Sequence, residues 1–183
     1  MGRRSAAGGL VPSLPRVYLR APSLHDRDEY LTLNRASRRL FRGFASPILT
    51  APAFTAYIAR SRRSDHSALL VCRAEDDAIV GSFNLSQIVR GAFRSAYLGY
   101  QVFGPYASQR YMSAAMPLVL RHAFVTLKLH RVEANIQPTN RPSIALVRRA
   151  GFSREGYSPK YLKICGRWRD HERWAILVDT WTR

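Results

Sequence analysis

The chain has 183 residues, of which 46% are apolar and 22% are charged. This composition is typical of a folded domain with a sizeable core and excludes a disordered chain. Lysine and arginine number 29 against 12 acidic residues, which gives a formal charge of +17. Such a charge attracts anionic partners (a phosphorylated cofactor, nucleic acid or anionic lipid), unless the arginines only cover solvated faces.

The sequence carries no signal for a membrane or a metal. No apolar run reaches the roughly 18 residues that a membrane span needs. Cys72 and Cys165 are too few for a disulfide framework and lack metal-ligand spacing, which predicts a reducing, cytoplasmic location. Glycine and proline interrupt residues 1–15, so we expect a flexible N-terminal tail there and a single domain over 16–183.

The first half of the chain is predicted to hold two helices and four strands. A strand is predicted at 17–20. Ser23 and Asp26 form a capping-box pattern that starts a helix reaching about Phe41. Helical spacing of apolar residues predicts a second, short helix around 54–58. Short turns then separate three strands of an antiparallel meander, at 67–73, 78–89 and 95–103.

The second half begins with a long predicted helix. Apolar residues recur every three or four positions from about Gln109 to Leu127, with Pro117 inside the pattern. The elements that follow are a strand at 131–136, a helix from Asn140 to Gly151, and a hairpin of 156–164 and 168–178. This order of elements predicts an α+β domain with a mixed sheet.

The junction at 100–112 is a candidate anion site. A strand ends there, a loop of small residues turns, and the long helix begins. A helix N-terminus offers unpaired backbone N–H groups and a partial positive charge, which suit a phosphate or pyrophosphate. An ordinary strand–helix connection has the same pattern, so the junction alone does not decide the function.

Two further blocks carry a resemblance to a known family. Residues 129–152 (LHRVEANIQPTNRPSIALVRRAGF) place a strand, an asparagine at a helix start, a serine three residues later and a Gly–Phe pair in a fixed order. Residues 156–176 (GYSPKYLKICGRWRDHERWAI) are similar to the tail of the same group. Over 17–177 the chain resembles the GNAT acyltransferase superfamily and, within it, the ribosomal-protein-alanine N-acetyltransferases. The resemblance implies the GNAT fold: a mixed, mostly antiparallel sheet that is splayed around the cofactor and flanked by helices.

The resemblance also implies which residues bind acetyl-CoA. The pantetheine arm would lie against the strand residues Gln101, Val102 and Phe103. The pyrophosphate would lie on the loop of Ala107, Ser108, Gln109, Arg110 and Tyr111. Asn140 would lie near the thioester and cofactor arm. Ser143 would protonate or solvate the leaving thiolate, since Val147 stands where the superfamily more often has a tyrosine acid.

A base must remove a proton from the amine, directly or through water, before the amine attacks. The sequence offers Glu133, and Asp170 together with His171, as candidates. An ion pair with an arginine is the more frequent role for a strand glutamate such as Glu133. Asp170 and His171 have the equally ordinary alternative of anchoring the last hairpin.

Ser108 and Arg110 depart from the family pattern, which has glycine at both positions. Glycine allows positive φ and a close approach of the backbone to phosphate. In one interpretation, the hydroxyl and the guanidinium bind the pyrophosphate instead. In the other, the two side chains block the loop, and binding of acetyl-CoA is weakened or abolished.

We therefore predict an acetyl-CoA-dependent N-acetyltransferase that needs no metal and no covalent enzyme intermediate. The acceptor implied by the resemblance is the N-terminal alanine of a ribosomal protein, with residues 42–50 lining the acceptor cleft. Two alternatives stay open. One is a catalytically silent relative that binds the ribosome or another RNA-rich partner through its basic surface. The other is an acetyltransferase for a small amine.

Overall fold

Within the described residues, 13–182, the computed structural model places seven strands in one sheet. Their bounds are β1 Val17–Arg20, β2 His66–Arg73, β3 Ile79–Val89, β4 Ser95–Val102, β5 Arg131–Ile136, β6 Ser153–Ile164 and β7 Arg167–Leu177. The spatial order is β1-β2-β3-β4-β5-β7-β6, and only β4 and β5 run parallel. The predicted mixed, mostly antiparallel sheet is confirmed. Residues 1–12 of the predicted tail lie outside the described residues.

The α-helices of the described part are α1 Arg27–Ala36, α2 Arg38–Phe41, α3 Ala51–Ser61, α4 Tyr111–Arg121 and α5 Arg141–Arg149. Local capping explains two of the starts. Thr50 caps α3 by accepting the N–H of Ala53, and Asn140 caps α5 by accepting the N–H of Ser143 at 3.3 Å. None of these helices is long and apolar enough to cross a membrane.

The prediction of one continuous helix from Ser23 to Phe41 is wrong. The Ser23–Asp26 capping box is present, but it opens a 3₁₀ turn before α1, and α1 breaks from α2 at Ser37. The hydroxyl of Ser37 donates to the carbonyl of Leu33 at 2.6 Å and accepts the N–H of Gly104 at 2.7 Å. Serine bonds to the backbone in this way compete with helix continuation, and here they tie the break to the loop after β4.

The helices cover the sheet from both faces and bury two separate cores. On one face α4 and α5 pack through residues such as Met116, Val119 and Val147, which are 0–1% exposed. On the other face α1 and α3 pack around Tyr30, Phe54 and Phe103. Alternating strand residues supply both cores, as expected for a sheet that is buried on each side.

The parallel pair β4 and β5 stays together over a short length. Only Ser95, Ala96 and Tyr97 pair with β5, whereas β4 remains paired with β3 up to Val102. Beyond Tyr97 the two strands diverge and leave a cleft in the middle of the sheet. The cleft opens beside the starts of α4 and α5, whose N-termini lie at Tyr111 and Arg141.

Candidate active site

The cleft between β4 and β5 carries a cavity at each of its two mouths. Cavity A, of about 490 Å³, is lined on one side by residues of α1, α3, β3 and β7. Cavity B, of about 480 Å³, is lined by residues of the 106–113 segment and α5. Both cavities are lined by Tyr100, Gln101, Asn140 and Ser143, together with Phe44 and Ala45. These residues therefore form the place where two molecules entering from opposite mouths would meet.

The backbone of β4 offers free hydrogen-bonding groups on alternate residues. Phe103 donates its N–H to the carbonyl of Val80 on β3 at 3.0 Å. Because strand groups alternate sides, Gln101 also points its backbone to β3, while Tyr100 and Val102 point theirs into the cleft. An extended chain with amide groups, lying in the cleft, would find its partners at Tyr100 and Val102.

Phe103 differs from its neighbours in the predicted set. Its side chain is 0% exposed in the aromatic cluster under α1, and its carbonyl accepts the N–H of Tyr106. Both backbone groups of Phe103 therefore have partners within the protein, and its role in binding the cofactor stays a prediction. Gln101 does reach the cleft, but its side-chain amide donates to the hydroxyl of Tyr30 at 3.2 Å.

The loop before α4 holds two residues in the left-handed backbone region. Ser108 has φ of 63° and Arg110 has φ of 64°, at the two positions where the family pattern has glycine. The backbone shape that glycine favours is therefore present without glycine. Ser108, Arg110 and Tyr111 line cavity B, whereas Ala107 and Gln109 do not, and Gln109 donates its side-chain amide to the carbonyl of Pro105.

The start of α4 is suited to an anion. No side chain caps this 11-residue helix, so the N–H groups of its first turn have no capping acceptor. Arg110 and Arg149 both line cavity B and add positive charge to the helix dipole. The rings of Tyr106 and Tyr111, which also line cavity B, pack edge to face with their centroids 5.9 Å apart.

Ser143 forms a close pair with Tyr100 inside the cleft. Their hydroxyl oxygens lie 2.5 Å apart, and the Tyr100 hydroxyl also bonds the Ser143 carbonyl at 3.3 Å. Burial raises the pKa of Tyr100 to about 12, so its hydroxyl stays protonated at neutral pH. Asn140 is bound to the same turn through the Ser143 N–H. Val147 is 0% exposed in the core and takes no part in the cleft.

The three candidate bases lie in different surroundings. Glu133 bonds Arg131 at 2.8 Å, and Arg131 also pairs with Glu155, so Glu133 belongs to an ion-pair group and lines neither cavity. Asp170 accepts the Tyr157 hydroxyl and the Lys160 N–H, which ties the two strands of the last hairpin together. Of the candidates, only His171 lines cavity A.

No aspartate or glutamate of the described residues lines cavity A. Its basic lining residues are Arg60, His66 and His171. Three polar atoms of lining residues are buried without a hydrogen-bond partner in the described part of the chain: the Asn34 and Asn135 amide oxygens and the Tyr57 hydroxyl. These three atoms lie inside the wall and are not exposed to the cavity.

The 42–50 segment closes one side of cavity A. Phe44, Ala45, Ser46 and Ile48 line the cavity. The tip of the β6–β7 hairpin reaches this segment, where Cys165 Sγ lies 3.5 Å from the carbonyl of Ala45. The loop and the hairpin tip therefore bound one side of cavity A, and strand residues such as Asn84 and Gln101 line another part of it.

Comparison with known proteins decides the family. The family model of the acetyltransferase (GNAT) domain matches residues 16–153. The chain belongs to the GNAT acetyltransferase family. It is an acetyl-CoA-dependent N-acetyltransferase, and both the fold and the family inferred from the sequence are confirmed.

Two sequence relatives show how far the similarity extends. The Bacillus subtilis protein named probable N-acetyltransferase YjcK is 35% identical over 170 residues, which cover 88% of this chain and 93% of the relative. The [ribosomal protein uS5]-alanine N-acetyltransferase of Escherichia coli is 38% identical over 108 residues, or 59% of this chain and 56% of the relative. The chain therefore spans just over half of that second relative.

Two solved structures share the fold. Mycobacterium smegmatis RimJ, in complex with CoA-disulfide, has a TM-score of 0.82 at 27% identity, covering 89% of this chain and 82% of that one. The spermidine N-acetyltransferase of Vibrio cholerae, in complex with CoA and spermine, has a TM-score of 0.78 at 21% identity, covering 90% and 96%. The second likeness shows the fold alone.

Sequence reasoning missed two residues of this site. It assigned no role to the Tyr100 hydroxyl, since its pairing with Ser143 joins residues that are 43 positions apart. It did not single out Arg149, which lines cavity B. Its place in the last turn of α5 was readable from the sequence, but the position of that turn beside the 108–113 segment was not.

Proposed function

We propose that the chain transfers an acetyl group from acetyl-CoA, held in cavity B and the cleft, to an α-amine that enters through cavity A. The observation that carries this proposal is the pair of cavities that meet at Tyr100, Asn140 and Ser143. A ternary complex needs such an arrangement, because the amine must reach the thioester carbonyl directly.

Acetyl-CoA fits cavity B in three respects. The free backbone groups of Tyr100 and Val102 would pair with the pantetheine amides. The uncapped start of α4 would bind the pyrophosphate through its N–H groups. Arg110 and Arg149 would add charge-assisted hydrogen bonds to phosphate oxygens. In this proposal Ser108 and Arg110 do not close the site, because their backbone already has the conformation that glycine would give it.

At the thioester end, Ser143 would donate its hydroxyl proton to the leaving sulfur. Its hydrogen bond to Tyr100 fixes the hydroxyl rotor, and Tyr100 stays protonated because burial raises its pKa. The carbonyl oxygen of the acetyl group would accept a hydrogen bond from a cleft-facing N–H of β4. Asn140 holds the turn that positions Ser143.

For the acceptor, we propose the N-terminal alanine of a ribosomal protein. The uS5-alanine relative supports this assignment over 59% of the chain. Cavity A supports it chemically, because a polyamine carries several positive charges and no lining carboxylate would balance them. A peptide N-terminus has one charge, and the amide groups that follow it are uncharged. Such a substrate places the reaction in the cytoplasm.

Competition between acceptors tests this assignment. Purified protein, acetyl-CoA, a hexapeptide that begins with alanine, and spermidine at equal concentration are mixed, and both products are quantified by mass spectrometry. The proposal predicts acetyl-peptide as the main product and none from the same peptide with a blocked N-terminus. Preferential acetylation of spermidine would reject the peptide acceptor and favour a small-amine enzyme.

A further inference from the structure

His171 occupies a buried place on the acceptor side of the cleft. Strand β5 ends at Ile136, which pairs with Glu172, so His171 is the next residue of β7 beyond the end of that pairing. The alternation of β7 puts its side chain on the same sheet face as Asn135. His171 is 3% exposed and lines cavity A together with Tyr100, Asn140 and Ser143.

One ring nitrogen of His171 is engaged and the other is not. Nδ1 lies 2.9 Å from the carbonyl oxygen of Arg169. A carbonyl oxygen can only accept, so Nδ1 carries the hydrogen in this bond. In the neutral ring Nε2 then holds a lone pair, and no described residue hydrogen bonds to it. The backbone of β7 thus fixes the tautomer that a proton acceptor needs.

The surroundings keep the ring neutral at physiological pH. Burial lowers the pKa of His171, and the Arg169 carbonyl and the nearby Asp170 carboxylate oppose this effect only in part. Tyr161 of β6 faces the ring at 6.1 Å, and Arg60 and His66 line the same cavity. The Asp170 carboxylate is itself engaged with the hairpin, so it does not compete for Nε2.

We propose that Nε2 of His171 is the general base that takes the proton from the acceptor amine, an inference that rests on the proposed acetyl transfer. The ammonium gives one proton to Nε2, and the nitrogen lone pair then forms the C–N bond. The C–S bond breaks with its electron pair going to sulfur, which takes the Ser143 proton. The second nitrogen proton replaces the one that Ser143 gave, and His171 releases its proton to water.

The replacement His171→Asn separates this role from a structural one. The asparagine amide can still donate to the Arg169 carbonyl, as Nδ1 does, but nothing replaces Nε2. Loss of a general base lowers the rate by about 10²- to 10⁴-fold. We expect this loss in kcat/KM for an alanine-initial hexapeptide, with the affinity for acetyl-CoA retained. His130→Asn, outside both cavities, is the matched control. If His171→Asn keeps more than about a tenth of wild-type kcat/KM, the proposal is overturned.

Glu133→Gln tests the competing candidate in the same assay. A larger loss in this variant than in His171→Asn would overturn the proposal and assign the base to Glu133. The replacement by glutamine keeps the shape of the side chain and removes only its charge, so a rate effect would report chemistry rather than packing.

The pH profile adds a readout that a structural role would not give. Wild-type kcat/KM should rise through a midpoint below 6.5, the ordinary histidine value. In His171→Asn the rise should move to the pKa of the peptide amine, about 7.7–8.0, because only the neutral amine then reacts. An aminooxy-terminated peptide is already neutral at pH 7, so it should react at similar rates with both proteins. An unmoved profile together with no rescue would overturn the proposal.

A measurement without acceptor keeps the inference separate from the proposed function. Long-range ¹H–¹⁵N spectra of the whole protein, assigned with His171→Asn, should show the Nδ1–H tautomer at pH 7 and protonation of Nε2 on acidification. The Nε2–H tautomer would overturn the proposal even if the enzyme is active. Absence of transfer by the wild type to any amine would contradict the proposed function, while the tautomer would still be measured.

Discussion

Replacing Ser108 and Arg110 by glycine distinguishes an open phosphate loop from a blocked one. Both residues already have φ near that of left-handed glycine, so the double variant leaves the backbone path unchanged. What it removes is a hydroxyl and a guanidinium from the lining of cavity B. One hydrogen bond to a charged group contributes about 1.5–3 kcal/mol, which is about 10- to 150-fold in affinity. We therefore expect the double variant to bind acetyl-CoA more weakly than the parent chain.

Titration calorimetry and thermal melting both measure this effect. Acetyl-CoA at 100 times its dissociation constant adds about 2.7 kcal/mol of stability, and in a domain of this size each kcal/mol raises the midpoint by about 2–4 °C. The parent midpoint should rise by about 5–11 °C and that of the double variant by clearly less at the same concentration. Ser108→Gly alone should change the affinity least, because a neutral contact is weaker than a charged one. Tighter binding of acetyl-CoA by the double variant would contradict this expectation and show that the side chains of Ser108 and Arg110 block the loop.

Three further outcomes follow from the structure. Tyr100→Phe should lower kcat by about 2- to 10-fold, the value of one neutral hydrogen bond, and should leave the pH profile in place because Tyr100 does not titrate below about pH 12. Burial lowers the pKa of His122 and His171, so below pH 6.5 the unfolded chain binds more protons than the folded chain does. The melting temperature should therefore fall as the pH drops from 7 to 5. A melting temperature that does not change over this range would contradict the prediction. Glu133→Gln should cost about 0.5–1 kcal/mol of unfolding free energy in urea titrations, since its partner Arg131 keeps Glu155.

The sequence predicted the elements well wherever the signal was local. The helix start at Asn140, the 131–136 strand and the turn between the last two strands depend on neighbouring residues, and the structure has all three. The prediction of a continuous helix to Phe41 was wrong because the Ser37 hydroxyl accepts the N–H of Gly104, a residue far away in the sequence. This bond stabilises a helix break that local propensity does not favour.

Strand β4 illustrates structural information that the sequence pattern does not contain, namely the direction of each backbone group. The resemblance assigned the cofactor arm to Gln101, Val102 and Phe103, but the side to which each backbone group points depends on the register with β3. That register puts Phe103 against Val80 and turns Tyr100 toward the cleft. The resemblance supplied the region, and only strand pairing supplied the orientation.

The candidate bases show the same limit in side chains. The sequence offers Glu133, and Asp170 together with His171, and does not choose between them. Arg131, which holds Glu133, is two residues away and was a visible partner, whereas the bonds of Asp170 to β6 need the hairpin. The burial of His171 at the mouth of the cleft needs the divergence of β4 from β5, and no local signal encodes that divergence.

Mass spectrometry of a single peptide tests the acceptor assignment and the acetyl transfer in one experiment. The peptide begins with alanine and carries one internal lysine, and it is incubated with the purified protein and acetyl-CoA. We expect one acetyl group per peptide, located on the α-amine by fragmentation. An equal amount of free CoA thiol should be released. Acetylation of the lysine instead would contradict the acceptor assignment, and no thiol release from bound acetyl-CoA would contradict the proposed chemistry of the cleft.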